Sequence, residues 1–269
     1  MIDLLNIEKV TIENIKEESN KVKTLVLKPE RNIFFKPGQF ILLSRLGVGE
    51  SPFAISSNPL NNELFEVSVQ RIGKNTSAIH ELDKGETIWY RGPYGNYFPV
   101  EQWIGKKIVI IAGGIGIAPL RSLLYSLLSN RQSYDEITLL YGASTSEMII
   151  YKDELNKWKK DISAHIITEF VENENLNVKK GLVTNLIDDL NVDVNNSIAV
   201  ICGPRQMCFS SAELLKAKGM CDYNIFVSLE MKMKCGIGVC GRCNINHKYV
   251  CKDGPIFCLG EVQAIQGFY

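Results

Sequence analysis

Apolar residues in the first hundred positions gather into short β-prone runs, KVKTLVL, QFILLSR, LFEVSVQRI and ETIWYRG, set apart by turn formers such as Lys36-Pro37-Gly38 and Asn58-Pro59. Several short strands at that spacing predict a small β-barrel over residues 1–100. From Lys106 the pattern changes to continuous apolar runs, KIVIIA, ITLLYGA, AHIITE, SIAVICG and NIFVSLE. Helix-like segments lie between them: PLRSLLYSLLSN, YKDELNKWKKD, LVTNLIDDL and QMCFSSAELLKAKG. Runs alternating with helices predict a parallel, doubly wound α/β sheet over residues 101–228. What remains, residues 229–269, is a small C-terminal domain rich in cysteine and glycine. No internal repeat, low-complexity tract or long linker interrupts this order.

Composition adds limits. Apolar residues are 45% and charged residues 22% of 269, the balance of a soluble globular chain with room for two substantial domains and an appendage. Lys plus Arg and Asp plus Glu are 30 each, so the net charge is zero. Without a basic tract, neither nucleic acid nor an anionic membrane surface is an expected partner. The opening MIDLLNIEKVTIEN is acidic and lacks a secretory pattern, and the longest apolar run, IVIIAGGIGIAPL, is too short and too glycine-broken to span a bilayer. The expected compartment is the cytoplasm, where clustered cysteines read as metal ligands or redox groups before disulfides.

Five of the eight cysteines fall in KCGIGVCGRCNINHKYVCKDGPIFC. Cys235, Cys240 and Cys243 have the C-x4-C-x2-C spacing of plant-type 2Fe-2S sites, which take a fourth cysteine farther on. Gly236, Gly238 and Gly241 suit a loop that turns sharply and aims N–H groups at sulfur. Structural zinc is the rival, although it favours paired CxxC or Cys/His knuckles and only one CxxC is present; unliganded core thiols are the plain alternative. Seven residues, NINHKYV, separate Cys243 from Cys251 and are long enough for a hairpin turning at Asn246-His247-Lys248. That hairpin would return Cys251 to Cys243, whereas Asp253-Gly254-Pro255 should lead Cys258 away. Cys208 and Cys221 read as core or surface thiols, and His80, His165 and His247 as packing or turn residues.

Three stretches suit nucleotides. IVIIAGGIGIAPLRSLL is a strand, a turn with Gly113, Gly114 and Gly116, and a helix opening at Pro119, whose N-terminus could face a pyrophosphate. AVICGPRQM ends a second strand at Cys202-Gly203-Pro204, on the same carboxyl edge of the sheet. In the barrel, RIGKNTSAIHEL sets Gly73, Thr76 and Ser77 at the start of a short helix, another phosphate seat. RGPYGN reads equally well as a turn.

The order of barrel, GKNTS, RGPYG, AGGIGIAP, CGPRQM and cysteine cluster resembles the ferredoxin-NADP reductase superfamily, in the branch with a C-terminal 2Fe-2S domain, along nearly the whole chain. GPYGNYFPVEQW, SLEMKMKCGIGVCGRC and HKYVCKDGPIF are most similar to the gamma subunits of hydrogenases and sulfhydrogenases. Subunits of dihydroorotate dehydrogenase and of anaerobic sulfite reductase belong to the same branch. The resemblance implies an FAD-binding barrel, NAD(P)H as substrate of the second domain, and a catalytic or iron-sulfur partner subunit receiving electrons. It places a flavin motif at Ser51, Pro52, Phe53 and Ala54, where relatives often carry an arginine that is lacking here; Arg71, Lys74 and Arg91 are the nearby substitutes for its phosphate contact. It also sets Cys202 near the nicotinamide, against the plain reading of a small residue ending a strand. Where relatives read YGAR this chain has Tyr141-Gly142-Ala143-Ser144, so NADH is expected over NADPH.

The parts imply a two-to-one electron converter: hydride from nicotinamide to flavin, then single electrons through a cluster on Cys235, Cys240, Cys243 and Cys251. No residue is assigned as a general acid or base. A cluster-binding redox sensor without turnover is the reading from another functional class.

Overall fold

The computed structural model describes residues 6–170 and 179–262. Residues 1–5 of the acidic opening lie outside them. The described residues divide into two compact units, one of residues 6–98, 121–126 and 229–256, the other of residues 99–120, 127–170, 179–228 and 257–262.

The first unit is built on β1 (Glu8–Ser19), β2 (Val22–Pro29), β3 (Phe40–Arg45), β4 (Gly49–Ala54), β5 (Phe65–Gln70), helix α1 (Lys74–His80) and β6 (Thr87–Tyr94). The strands pair antiparallel in the order β4-β3-β6-β1-β2-β5. An isolated Ile55↔Val67 bridge and a 2.8 Å bond from Ser56 N–H to Glu66 O join the two edges, so the sheet closes as a barrel. Val10 and Ile12 of β1, Ile41 and Leu43 of β3, and Phe65, Val67 and Val69 of β5 point to one buried core. These positions alternate along each strand, as the pleat demands.

Two strands have no apolar run in the sequence. β1 buries only Val10 and Ile12 of twelve residues, so its apolar signal is thin. β4 carries Pro52, tolerated because β4 is the first strand in the order and has one full ladder partner, β3.

The second unit is built on a sheet in the order β10-β9-β8-β7-β11-β12-β15, in which β10 through β12 pair parallel. Its members are β7 (Lys107–Gly113), α2 (Ile117–Ser129), β8 (Ile137–Ala143), α3 (Lys152–Trp158), β9 (Ser163–Thr168), β10 (Lys179–Lys180), α4 (Val183–Asp188), β11 (Ser197–Cys202), α5 (Arg205–Ala217) and β12 (Ile225–Ser228). All five apolar runs read from the sequence become strands, and Ile108, Ile110, Leu139, Ile198 and Val200 are buried among them. After a small β13 (Asn244–Ile245) and β14 (Lys248–Tyr249) hairpin and α6 (Val250–Asp253), the chain adds β15 (Ile256–Cys258) and α7 (Leu259–Val262). Helix α2 begins two residues before Pro119, which therefore sits in the first turn without opening it; its missing N–H is harmless there.

Within the first unit, Arg121 is 2% exposed and donates from Nη1 to the Glu66 carboxylate and, at 3.3 Å, to Ser56 O. Lys16 Nζ reaches the other Glu66 oxygen at 2.9 Å. Burial would raise the Glu66 carboxyl, but Arg121 and Lys16 outweigh it and hold it below the ordinary glutamate value. A carboxyl lowered by folding adds stability above its unfolded pKa of about 4.3, and that contribution is lost as pH falls through the folded value. Arg121→Met should cost about 3–5 kcal/mol in urea denaturation at pH 7, because it leaves the largely buried Glu66 carboxylate with only the more exposed Lys16 as partner, while Glu66→Gln combined with Arg121→Met should recover most of it. A single-variant loss under about 1 kcal/mol would refute this account of the pair.

Candidate functional site

The cysteine segment folds as its spacing suggests. Asn246 takes φ +51 at the hairpin turn, and β13 and β14 pair Asn244 with Tyr249. Val250 N–H then donates to Cys243 O at 3.0 Å, and Cys251 N–H to Cys243 Sγ at 3.5 Å, so Cys251 lies beside Cys243. Gly238 N–H points at Cys251 Sγ at 3.1 Å; Val239 and Cys240 N–H groups point at Cys235 Sγ at 3.3 and 3.4 Å. Cys258 ends β15, and its N–H meets Glu261 at 3.4 Å.

These amides create an environment for sulfur anions. Burial alone would raise the Cys235 thiol, but N–H groups of Cys240, Ile237 and Val239 bring it down to about 6. Cys251 is pushed up to about 12 by burial and by the Cys243 thiol against it, with Gly238 N–H opposing. A metal cation would relieve that opposition, since thiolates, not thiols, are the ligands. Among the described residues no three His, Cys, Asp or Glu side chains close on a single ion. The thiols stand as two interacting pairs, Cys235 with Cys240 and Cys243 with Cys251, an arrangement suited to a cluster held by four cysteines. Val239, between the first pair, is 77% exposed, as is much of Cys240.

In the barrel, Ser51–Ala54 lie on β4 and Gly73–Ser77 open α1. Asn75 joins these two groups: its Nδ2 donates to Ser51 Oγ at 3.0 Å, and its Oδ1 is buried with no partner in the protein. The sequence reading passed over Asn75, although it stands inside GKNTS. Thr76 is occupied in capping, receiving the Ile72 and Gly73 N–H groups and donating to Gly73 O. Gly73 faces open space, and Arg71 and Lys74 are exposed beside it. Arg91 does not serve as a substitute phosphate ligand. The residue is 9% exposed, and its guanidinium is spent on the Glu50 carboxylate and on the carbonyls of Lys234 and Cys235. RGPY is strand, not turn.

The second unit brings its candidate loops together at the point where strand order reverses. β8 leaves β7 on one side and β11 lies on the other, so the loops after Gly113 and Cys202 flank the crevice where open α/β sheets take ligands. A Cβ on Gly116 would lie 2.4 Å from Cys202 O, and one on Gly113 would lie 2.2 Å from Met207 Sδ. Those glycines are needed for packing. Gly114, at φ +53, has nothing within 4 Å of a Cβ and faces outward, which makes it the glycine whose backbone a ligand could approach. Cys202 is buried behind the turn, with Gly203 and Pro204 leading into α5.

Gly116→Ala should therefore lower Tm sharply, because the obstructing atoms are main chain. Gly114→Ala should keep the fold at a strain cost of about 1 kcal/mol and act instead on nucleotide affinity. Thermal melts beside NADH titration separate the two effects, and equal loss of Tm in both variants would contradict the assignment.

Two stretches of the chain match described families. Residues 110–212 match the family described as the oxidoreductase NAD-binding domain, and residues 230–263 the iron-sulfur cluster binding domain of dihydroorotate dehydrogenase B. The sulfhydrogenase 1 gamma subunit of Pyrococcus furiosus is 40% identical over 240 residues, covering 87% of this chain and 82% of the relative. A probable dihydroorotate dehydrogenase B (NAD(+)) electron transfer subunit of Methanocaldococcus jannaschii is 36% identical over 261 residues, 96% of this chain and 91% of the relative. Among solved structures, an NADH-dependent reduced ferredoxin-NADP oxidoreductase shares the fold with TM-score 0.78 at 24% identity, covering 97% of this chain and 93% of the other.

Proposed function

The chain belongs to the ferredoxin-NADP reductase superfamily, in the branch of sulfhydrogenase gamma and dihydroorotate dehydrogenase electron-transfer subunits, and from that premise we propose that it is the NADH-linked electron-transfer subunit of a hydrogenase-type complex. The observation that carries this reading is the pairing of four thiols under converging N–H groups, in one chain with an open nucleotide crevice. A bound flavin would accept electrons in pairs from nicotinamide and give them singly, and a 2Fe-2S cluster would carry single electrons onward.

This chain's residues bind and orient. Cys235, Cys240, Cys243 and Cys251 hold the irons. Gly73 and the exposed Arg71 and Lys74 receive the phosphates of FAD, while Ser51, Pro52, Phe53, Ala54 and Asn75 line its seat; Thr76 shapes the turn and Ser77 borders it. Gly114 offers backbone to the dinucleotide over a floor made by Gly113, Gly116 and Gly203, with Cys202 and Pro204 flanking it. No member of this set acts as a general acid or base. Ser144 and Glu147, in place of a cation, leave a 2'-phosphate without a charged partner, so NADH should show the higher kcat/KM. The segment 229–256 carries Lys232, Lys234, Arg242, Lys248 and Lys252 against Glu230 and Asp253, which suits an acidic face on the electron-accepting partner.

The dihydroorotate dehydrogenase subunit is the second reading, favoured by the family matched at residues 230–263. Co-purification decides between a hydrogenase subunit and a dihydroorotate-oxidising one.

NADH should bleach the flavin and produce a reduced-cluster EPR signal. Cys240→Ser should keep the bleaching and lose delivery to a one-electron acceptor; normal delivery would remove the cluster from the path. Cys251→Ser should lose iron, sulfide and signal, and Cys258→Ser should keep all three. The reverse pattern would assign the fourth ligand to Cys258.

A further inference from the structure

Arg91 sits at the centre of an arrangement that the proposed chemistry has not used. Its Nε donates to Glu50 Oε1 at 3.0 Å and its Nη2 to Glu50 Oε2 at 2.5 Å, a two-pronged pair between β6 and β4. The outer edge of the same guanidinium faces the cysteine loop: Nη2 donates to Lys234 O at 2.9 Å and Nη1 to Cys235 O at 3.1 Å. Consecutive carbonyls turned onto one cation fix the main chain on both sides of Cys235. The next residue is seated on the barrel too, since a Cβ on Gly236, at φ +79, would fall 2.8 Å from the Tyr94 ring and 3.0 Å from Leu42. By contrast, the contacts described for Cys240, Cys243 and Cys251 come from within the loop and hairpin.

We propose that Arg91 is a positioning residue for Cys235, the first cluster ligand, and that the Glu50–Arg91 pair mechanically and electrostatically ties that ligand to the strand bearing Ser51–Ala54. Glu50 directly precedes those flavin-seat residues, so four hydrogen bonds link the two candidate redox seats through one side chain. Only a planar fork can make all four. Lysine keeps the charge but is a single donor point, unable to face a carboxylate and two carbonyls at once. The pair also fixes local charge. A cluster becomes more negative on reduction, so the cation favours the reduced form and the carboxylate opposes it.

This inference rests on the cluster reading above, and the test separates the two. Full-length parent, Arg91→Lys, Arg91→Gln and Glu50→Gln proteins are compared by EPR redox titration, and as cluster-free chains by hydrogen exchange. Arg91→Lys should speed amide exchange over residues 235–240 by about tenfold or more, the factor that a lost charge-assisted bond carries, without the same change in β1 and β2. The cluster's midpoint potential should fall in Arg91→Gln and rise in Glu50→Gln. Opposite signs are the signature of charge placement, which a purely structural role would not give. Unchanged exchange in the loop, equal acceleration through the barrel, or shifts of the same sign in both charge variants would overturn the proposal. A parent protein that assembles no cluster overturns the functional reading instead, and loop-selective exchange in Arg91→Lys still upholds the anchor.

Discussion

One planar cation governs how the cysteine segment lies on the barrel. Arg91 is nearly buried, and a buried guanidinium is tolerable only when its donors are met. Glu50 supplies charge and two acceptors, and Lys234 and Cys235 supply carbonyls that the turning loop would otherwise leave unpaired. The barrel thus needs the loop as much as the loop needs the barrel. Asn96 repeats the pattern farther along, donating to Asp253 O and Ile256 O and accepting from Ile256 N–H.

The same economy of close approach shapes the nucleotide crevice. Strand order reverses beside β7, so the loops after β7 and β11 diverge over a shared gap. For both loops to reach it they must touch each other, and Gly113 and Gly116 allow that contact by lacking a side chain. Packing therefore accounts for two of the three glycines in the turn. The ligand-facing role narrows to Gly114, whose outward face is open.

Several expectations met competing physics. Arg91 was one of three cations near the flavin seat, and no local feature distinguishes it from Arg71 and Lys74; its partners lie 41 to 144 positions away. Pro119 reads as a helix opener, yet a short 3-10 turn at Gly114–Gly116 feeds directly into α2 and starts the helix sooner. β1 escapes notice because one face of it is polar, and β4 because it contains proline. Asn75 stands inside GKNTS without a local sign of its partner, and its link to Ser51 appears only when α1 is laid against β4.

Features that repeat locally are legible in the chain alone: apolar runs that become parallel strands, turn formers that bound the barrel strands, and cysteine spacing whose hairpin brings Cys251 to Cys243. These depend on interactions between residues close in the chain, where spacing is geometry. Which charges are paired and which glycines are packed follows from the assembled fold. Glu66 with Arg121, Glu50 with Arg91, and Gly116 with Cys202 each join residues 41 to 86 positions apart. Desolvation makes such pairings obligatory once the fold has formed, but their identity follows from strand order and not from any neighbouring residue.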